Sequence, residues 1–109
     1  MTALFLLFAN FAWEKITMIN GFVDLQNNGW MNTDFSEAGL TCERFKEITL
    51  DLVSKGTIAY CPTLITGDPE IYKKNFSVIA EAIKDPNIGS HILGIHLEGP
   101  FISPESGAV

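Results

Sequence analysis

A chain of 109 residues that is 47% hydrophobic and 18% charged has the composition of a segment that folds around a core, not of a disordered one. Its length allows one domain at most, about a third of a (β/α)8 barrel, which needs roughly 250 residues. Seven basic against 13 acidic residues leave a net charge of -6, and no stripe of Lys or Arg is available to neutralise phosphates, which argues against nucleic-acid binding.

The opening stretch, Met1 to Ile19, is rich in Leu and Phe, and Ala3 to Ala12 resembles the apolar part of a signal peptide. It has no basic lead and no small-residue cleavage site, and Glu14 and Lys15 interrupt it short of the roughly 20 apolar residues that span a bilayer. Residues 1–20 are therefore expected to be an atypical apolar N-terminal segment, with no membrane association, ahead of a folded part at 21–109. Cys42 and Cys61 are too few and too far apart for a disulfide scaffold or a zinc ribbon and read as packed thiols, which fits a reducing, cytoplasmic setting.

From Gly21 onward the pattern alternates. Phe22-Val23-Asp24-Leu25, Thr57-Ile58-Ala59-Tyr60 and Ile92-Leu93-Gly94-Ile95-His96-Leu97 predict three strands, and their starts at 22, 57 and 92 recur at an interval of 35 residues, the length of a strand, a crossover helix and loops. Between the first two strands, Phe45, Ile48, Leu52 and Val53 fall at helical spacing, with Thr41 as cap and Gly56 just past the end. Between the second and third, Asp68-Pro69 opens a helix with Tyr72, Phe76, Ile79, Ala80 and Ile83 as its apolar stripe, and Asp85-Pro86 is expected to end it. The order is βαβαβ. Strands joined by crossover helices run parallel, leaving a doubly wound sheet or a barrel, and either collects ligands at the carboxyl ends of its strands.

Three strand ends carry the polar candidates. Gln26-Asn27-Asn28-Gly29 follows the first and reads either as a turn or as site lining. Cys61-Pro62-Thr63-Leu64-Ile65-Thr66-Gly67 closes the second, and neither end has a glycine-rich phosphate fingerprint. His96-Leu97-Glu98-Gly99-Pro100 closes the third. His96 and Glu98 are two apart, so on a strand they share a face. A carboxylate at the rim of a core requires a partner; Glu98 is open to two readings, metal ligand or salt-bridged carboxylate, and His96 to two, satisfied core histidine or ligand.

Taken together, Gly21 to Gly29, Cys61 to Thr66 and Gly94-Ile95-His96-Leu97-Glu98-Gly99-Pro100-Phe101-Ile102-Ser103 resemble, in order and spacing, the N-acetylglucosamine-6-phosphate deacetylases of the amidohydrolase superfamily. The resemblance implies an α/β fold: the first three parallel strands, with intervening helices, of a (β/α)8 TIM-like barrel. It implies deacetylation of an amino-sugar phosphate, N-acetylglucosamine 6-phosphate, to glucosamine 6-phosphate and acetate. It further implies a divalent metal ion, zinc or similar, bound by Glu98, and site lining by Gln26, Asn28, Thr63 and His96. Gln26 and Asn28 match the family's Q-x-N where many amidohydrolases have H-x-H, which favours a single ion. The full-length enzymes are expected to be homo-oligomers.

The later metal-binding histidines and catalytic aspartate of that family find no counterpart here, and the chain stops at Gly107-Ala108-Val109, where the family continues with a histidine. Asn20 stands where the family has proline. These departures point to a truncated or irregularly started chain, inactive by itself and marginally stable. The alternatives are another amidohydrolase acting on a different amide, and a non-catalytic half-barrel that associates through its exposed strand edges.

Overall fold

The structure, a computed structural model, describes residues 21–101 with 104 and 105. The apolar stretch 1–20 and the terminal Gly107-Ala108-Val109 lie outside the described residues. In chain order the elements are β1 (Phe22–Asn27), β2 (Gly29–Trp30), β3 (Thr33–Asp34), α1 (Cys42–Ser54), β4 (Thr57–Ile65), α2 (Pro69–Ala82), α3 (Pro86–Gly89) and β5 (His96–Glu98). The three expected strands form one sheet in the order β1-β4-β5, with both pairings parallel. The expected crossover helices α1 and α2 lie between them.

Alternation along β4 sorts the sheet into two faces. Tyr60 and Leu64 are buried in the core with Phe45, Ile48 and Leu52 of α1 and Ile79 and Ala82 of α2. The ring of Tyr60 lies 6.0 Å from that of Phe35 and 6.4 Å from that of Phe45, which are themselves 5.4 Å apart. At its tip, Thr49 Oγ1 donates to the Phe45 carbonyl at 2.9 Å, so the hydroxyl contact of 2.8 Å between Thr49 and Tyr60 has the phenol as donor. Both hydroxyls are thereby satisfied inside an apolar core, as burial requires. Burial pushes the Tyr60 phenol up to about 12.

The first crossover helix matches its sequence signature. Thr41 accepts from Arg44 N–H at 3.1 Å, and Gly56, at φ +106°, follows the cap residue Lys55. The inward face is Phe45, Ile48, Thr49 and Leu52; Val53 is only half-buried, and the threonine takes a core position because Tyr60 gives its hydroxyl a partner.

The second helix starts as expected, with Asp68 accepting from Glu70 N–H at 2.7 Å and Pro69 in its first turn. Its inward face differs: Asn75, Ile79 and Ala82 are buried, whereas Phe76, Ala80 and Ile83 are exposed. The cause is a polar anchor. The Asn75 side-chain amide donates to the carbonyls of Phe35 at 2.8 Å and Glu37 at 2.9 Å, and Lys74 Nζ donates to that of Leu40 at 2.7 Å. These bonds hold the 35–40 loop, and with it Phe35, against the helix. Asp85-Pro86 likewise does more than end this helix: Asp85 accepts from Asn87 N–H at 3.0 Å and caps the short α3.

A further departure is the hairpin β2–β3, with Gly29 paired to Asp34 and Trp30 to Thr33. Its corner residues Met31 and Asn32 have φ of 54° and 65°, the two left-handed positions of a primed two-residue turn. The hairpin is fixed to α1 by Trp30 Nε1, which donates to Asp51 at 2.8 Å, and by Arg44 Nε, which donates to Thr33 Oγ1 at 2.9 Å. Bonds from Lys55 and Trp30 hold the Asp51 carboxyl below its ordinary value. The third strand is also shorter than expected: Ile92 makes an isolated bridge with Tyr60, and regular pairing resumes at His96.

Two outcomes follow from the core. A phenol whose folded value lies above its unfolded value of 10.0 supplies stability in full below pH 10, which is lost as pH rises toward 12. The wild-type stability curve should therefore fall more steeply over that interval than that of Tyr60→Phe in urea titrations; parallel curves would refute the buried, satisfied phenol. Asn75→Leu should strip the Phe35 and Glu37 carbonyls of their donor and lower stability by about 2 to 3 kcal/mol in the same assay.

Candidate active site at the strand ends

Because β1, β4 and β5 are parallel, their carboxyl ends lie on one side of the sheet. The register pairs Thr63 with His96, Leu64 with Leu97 and Ile65 with Glu98. Leu64 belongs to the helix-covered face, so Thr63, His96 and Glu98 share the opposite one. Thr63 is fully buried; His96 and Glu98 are half-buried. Three of the five expected site residues are thus brought together.

Thr63 Oγ1 donates to the Cys61 carbonyl at 3.2 Å and lies 3.3 Å from His96 Nδ1. The main chain of Glu98 is held from the side, since its carbonyl accepts from Thr66 N–H at 3.0 Å and from Thr66 Oγ1 at 3.2 Å. The end of β4 is tied in turn to the 35–40 loop by Ile65 N–H, which donates to Ser36 Oγ at 2.9 Å. Among the described residues, the carboxylates of Glu47, Asp85, Asp51, Glu70 and Glu81 each stand in an ion pair with a lysine or arginine, and Glu98 stands in none of these. The salt-bridge reading of Glu98 therefore has no partner within them.

The amides at the end of β1 divide. Asn27, the middle one, is a structural residue: its amide donates to Asp24 at 2.9 Å and its oxygen accepts from Gly29 N–H at 3.1 Å. That is the turn reading, realised at one residue. Gln26 and Asn28 have exposed side chains, and among the described residues no hydrogen bond joins them to Thr63, His96 or Glu98. The pairing of β1 slips between Asp24 and Asn27, opposite Pro62, a residue with no N–H to give to the ladder. Asp24 and Ser36, which fix the β1 turn and the β4 end, carry no signal in the sequence pattern beyond being short polar side chains.

Hollows among the described residues lie beside β4 and at the hairpin. One, about 20 Å³ between Leu64, Ile65, Tyr72 and Asn75, has room for a water and not for a sugar. The other is an open depression around the hairpin that includes Asn28, Asp34 and Glu37, whose two carboxylates would repel an anionic ligand. Metal binding meets a similar limit: among the described residues no three His, Cys, Asp or Glu side chains cluster. Sites for divalent ions generally use three or more protein ligands. Glu98 fits as one ligand of such a set and does not make a centre alone.

No protein-family model matches the chain. Individual proteins do. N-acetylglucosamine-6-phosphate deacetylase of Mus musculus is 43% identical over 88 residues, which cover 78% of this chain and 21% of that protein. The Homo sapiens protein of the same name is 42% identical over 88 residues, with the same shares. Among solved structures, the N-acetylglucosamine-6-phosphate deacetylase from Pasteurella multocida superposes with a TM-score of 0.68 at 32% identity, covering 78% of this chain and 22% of that one. The chain spans about a fifth of the length of the curated relatives that it matches. Over that span, in sequence and in fold, it belongs to the N-acetylglucosamine-6-phosphate deacetylase family.

Proposed function

We propose that this chain supplies the first three strands of a (β/α)8 barrel that hydrolyses the acetamide of N-acetylglucosamine 6-phosphate, releasing acetate and glucosamine 6-phosphate. The observation that carries this reading is Glu98: a half-buried carboxylate at the carboxyl end of β5, with its backbone pinned by Thr66 and no ion-pair partner among the described residues. Such a group is costly unless a cation meets it.

Glu98 would hold a divalent ion, zinc or similar, together with ligands from outside the described residues. When bound, that ion would polarise the acetamide carbonyl and acidify a water. Gln26 and Asn28 are neutral amides and would line the substrate side, not bind a transition metal. Thr63 and His96 would complete the lining next to Glu98. One carboxylate does not catalyse amide hydrolysis, so the activity requires the remaining strands of the barrel.

The exposed apolar residues support the same completion. Phe22, Val23 and Leu25 on the edge strand β1 are 71%, 55% and 66% exposed, and Phe101 beyond β5 is wholly exposed. Residues of this kind on sheet edges are covered in a closed barrel. Assembly of the complete enzyme into a homo-oligomer belongs to this reading as well. Cys42 and Cys61 are free thiols, which supports a reducing compartment, the cytoplasm. No helix among the described residues is long and apolar enough to cross a membrane.

The test is Glu98→Gln in the protein as its gene encodes it, with bound metal and acetate release measured on the same sample. The reading expects loss of the ion and a fall in kcat/KM of at least about 100-fold. Retained metal with near wild-type turnover would reject Glu98 as a ligand.

A further inference from the structure

The bond between Thr63 and His96 has a direction that the chemistry of its neighbours fixes. Thr63 is fully buried, and its hydroxyl has one proton and two lone pairs. The Cys61 carbonyl, 3.2 Å away, can only accept, so the proton points there. Towards His96 Nδ1, at 3.3 Å, the Thr63 oxygen is then left as an acceptor, and the ring must supply the hydrogen. A neutral imidazole has one N–H, so Nε2 carries the lone pair.

We propose that Thr63 is a positioning residue for His96: it fixes the Nδ1–H tautomer, so that Nε2 accepts a hydrogen bond from an O–H donor on the face shared with Glu98. The assignment of this face as a substrate site rests on the function proposed above. His96 and Glu98, two residues apart on β5, are separated by about 6.6 Å along the strand. A neutral acceptor and a carboxylate at that spacing suit a hydroxyl-rich ligand or an ordered water. Nothing else among the described hydrogen bonds competes for His96.

Nitrogen-15 spectra of the imidazole, recorded on the protein as its gene encodes it, separate the two neutral tautomers from each other and from the doubly protonated ring. The wild type and Thr63→Ser are expected to give the Nδ1–H pattern, and Thr63→Val to shift towards the Nε2–H form while amide dispersion is kept. An Nε2–H wild type, or a tautomer indifferent to Thr63→Val, would overturn the proposal. A hydrogen-bonded Nε2 shift seen without ligand identifies water as the donor; one that appears only with N-acetylglucosamine 6-phosphate identifies a sugar hydroxyl; neither shift would overturn the acceptor role. Glu98→Gln leaves the tautomer unchanged on this proposal, so its effect on metal content tests the site assignment separately.

Discussion

The hydroxyl of Tyr60, donated to Thr49 inside an aromatic cluster, joins the two layers of this fold. Tyr60 stands on β4, the strand to which both β1 and β5 are paired, and Thr49 and Phe45 stand on α1. A shift of β4 against α1 would separate the two hydroxyls and leave the buried Tyr60 O–H without its acceptor, at a cost of about 1 to 3 kcal/mol, while Thr49 would keep its bond to the Phe45 carbonyl. Non-directional packing tolerates small sliding far better than this bond does. The register of the helix on the sheet, and hence the level at which each strand ends, depends on it.

The arrangement at the strand ends follows from that level. With Tyr60 facing the helices, Leu64 faces them too and Thr63 does not. The parallel register then aligns Thr63 with His96 and Ile65 with Glu98. Loop 35–40 adds a second brace, because Asn75 holds its carbonyls while Ser36 accepts from the β4 end. The polar groups of the site are thus placed by the register of β4 and β5 over the apolar layer on the other face of the sheet.

Much of this was legible from residue pattern. The 35-residue interval between the first two strands, the Thr41 and Asp68 caps and the shared face of His96 and Glu98 are all short-range consequences of periodicity, and the structure contains each of them, whereas regular pairing of the third strand starts at His96 and not at Ile92. The features that escaped depend on partners distant in the chain. Asn75 reads as the polar side of α2 until the 35–40 carbonyls are placed beside it. Met31 hid the hairpin, since a primed turn is announced by Gly, Asn or Asp at its first corner. Asp85-Pro86 is ambiguous in kind: the pair that ends one helix also opens another. Gln26 and Asn28 share a motif with Asn27, but only the neighbouring turn decides that Asn27 serves the backbone and leaves the other two side chains exposed.

The two bonds from Thr66 to the Glu98 carbonyl bear on what this position can tolerate. They clamp the main chain and leave the side chain its own torsions, so reach is set by the number of methylenes alone. Aspartate would keep the charge but draw the carboxylate back by about 1.5 Å, the length of one carbon–carbon bond, and the clamped strand cannot advance to compensate. For the metal-ligand role proposed for Glu98, side-chain length at this position is therefore as strict a requirement as the negative charge.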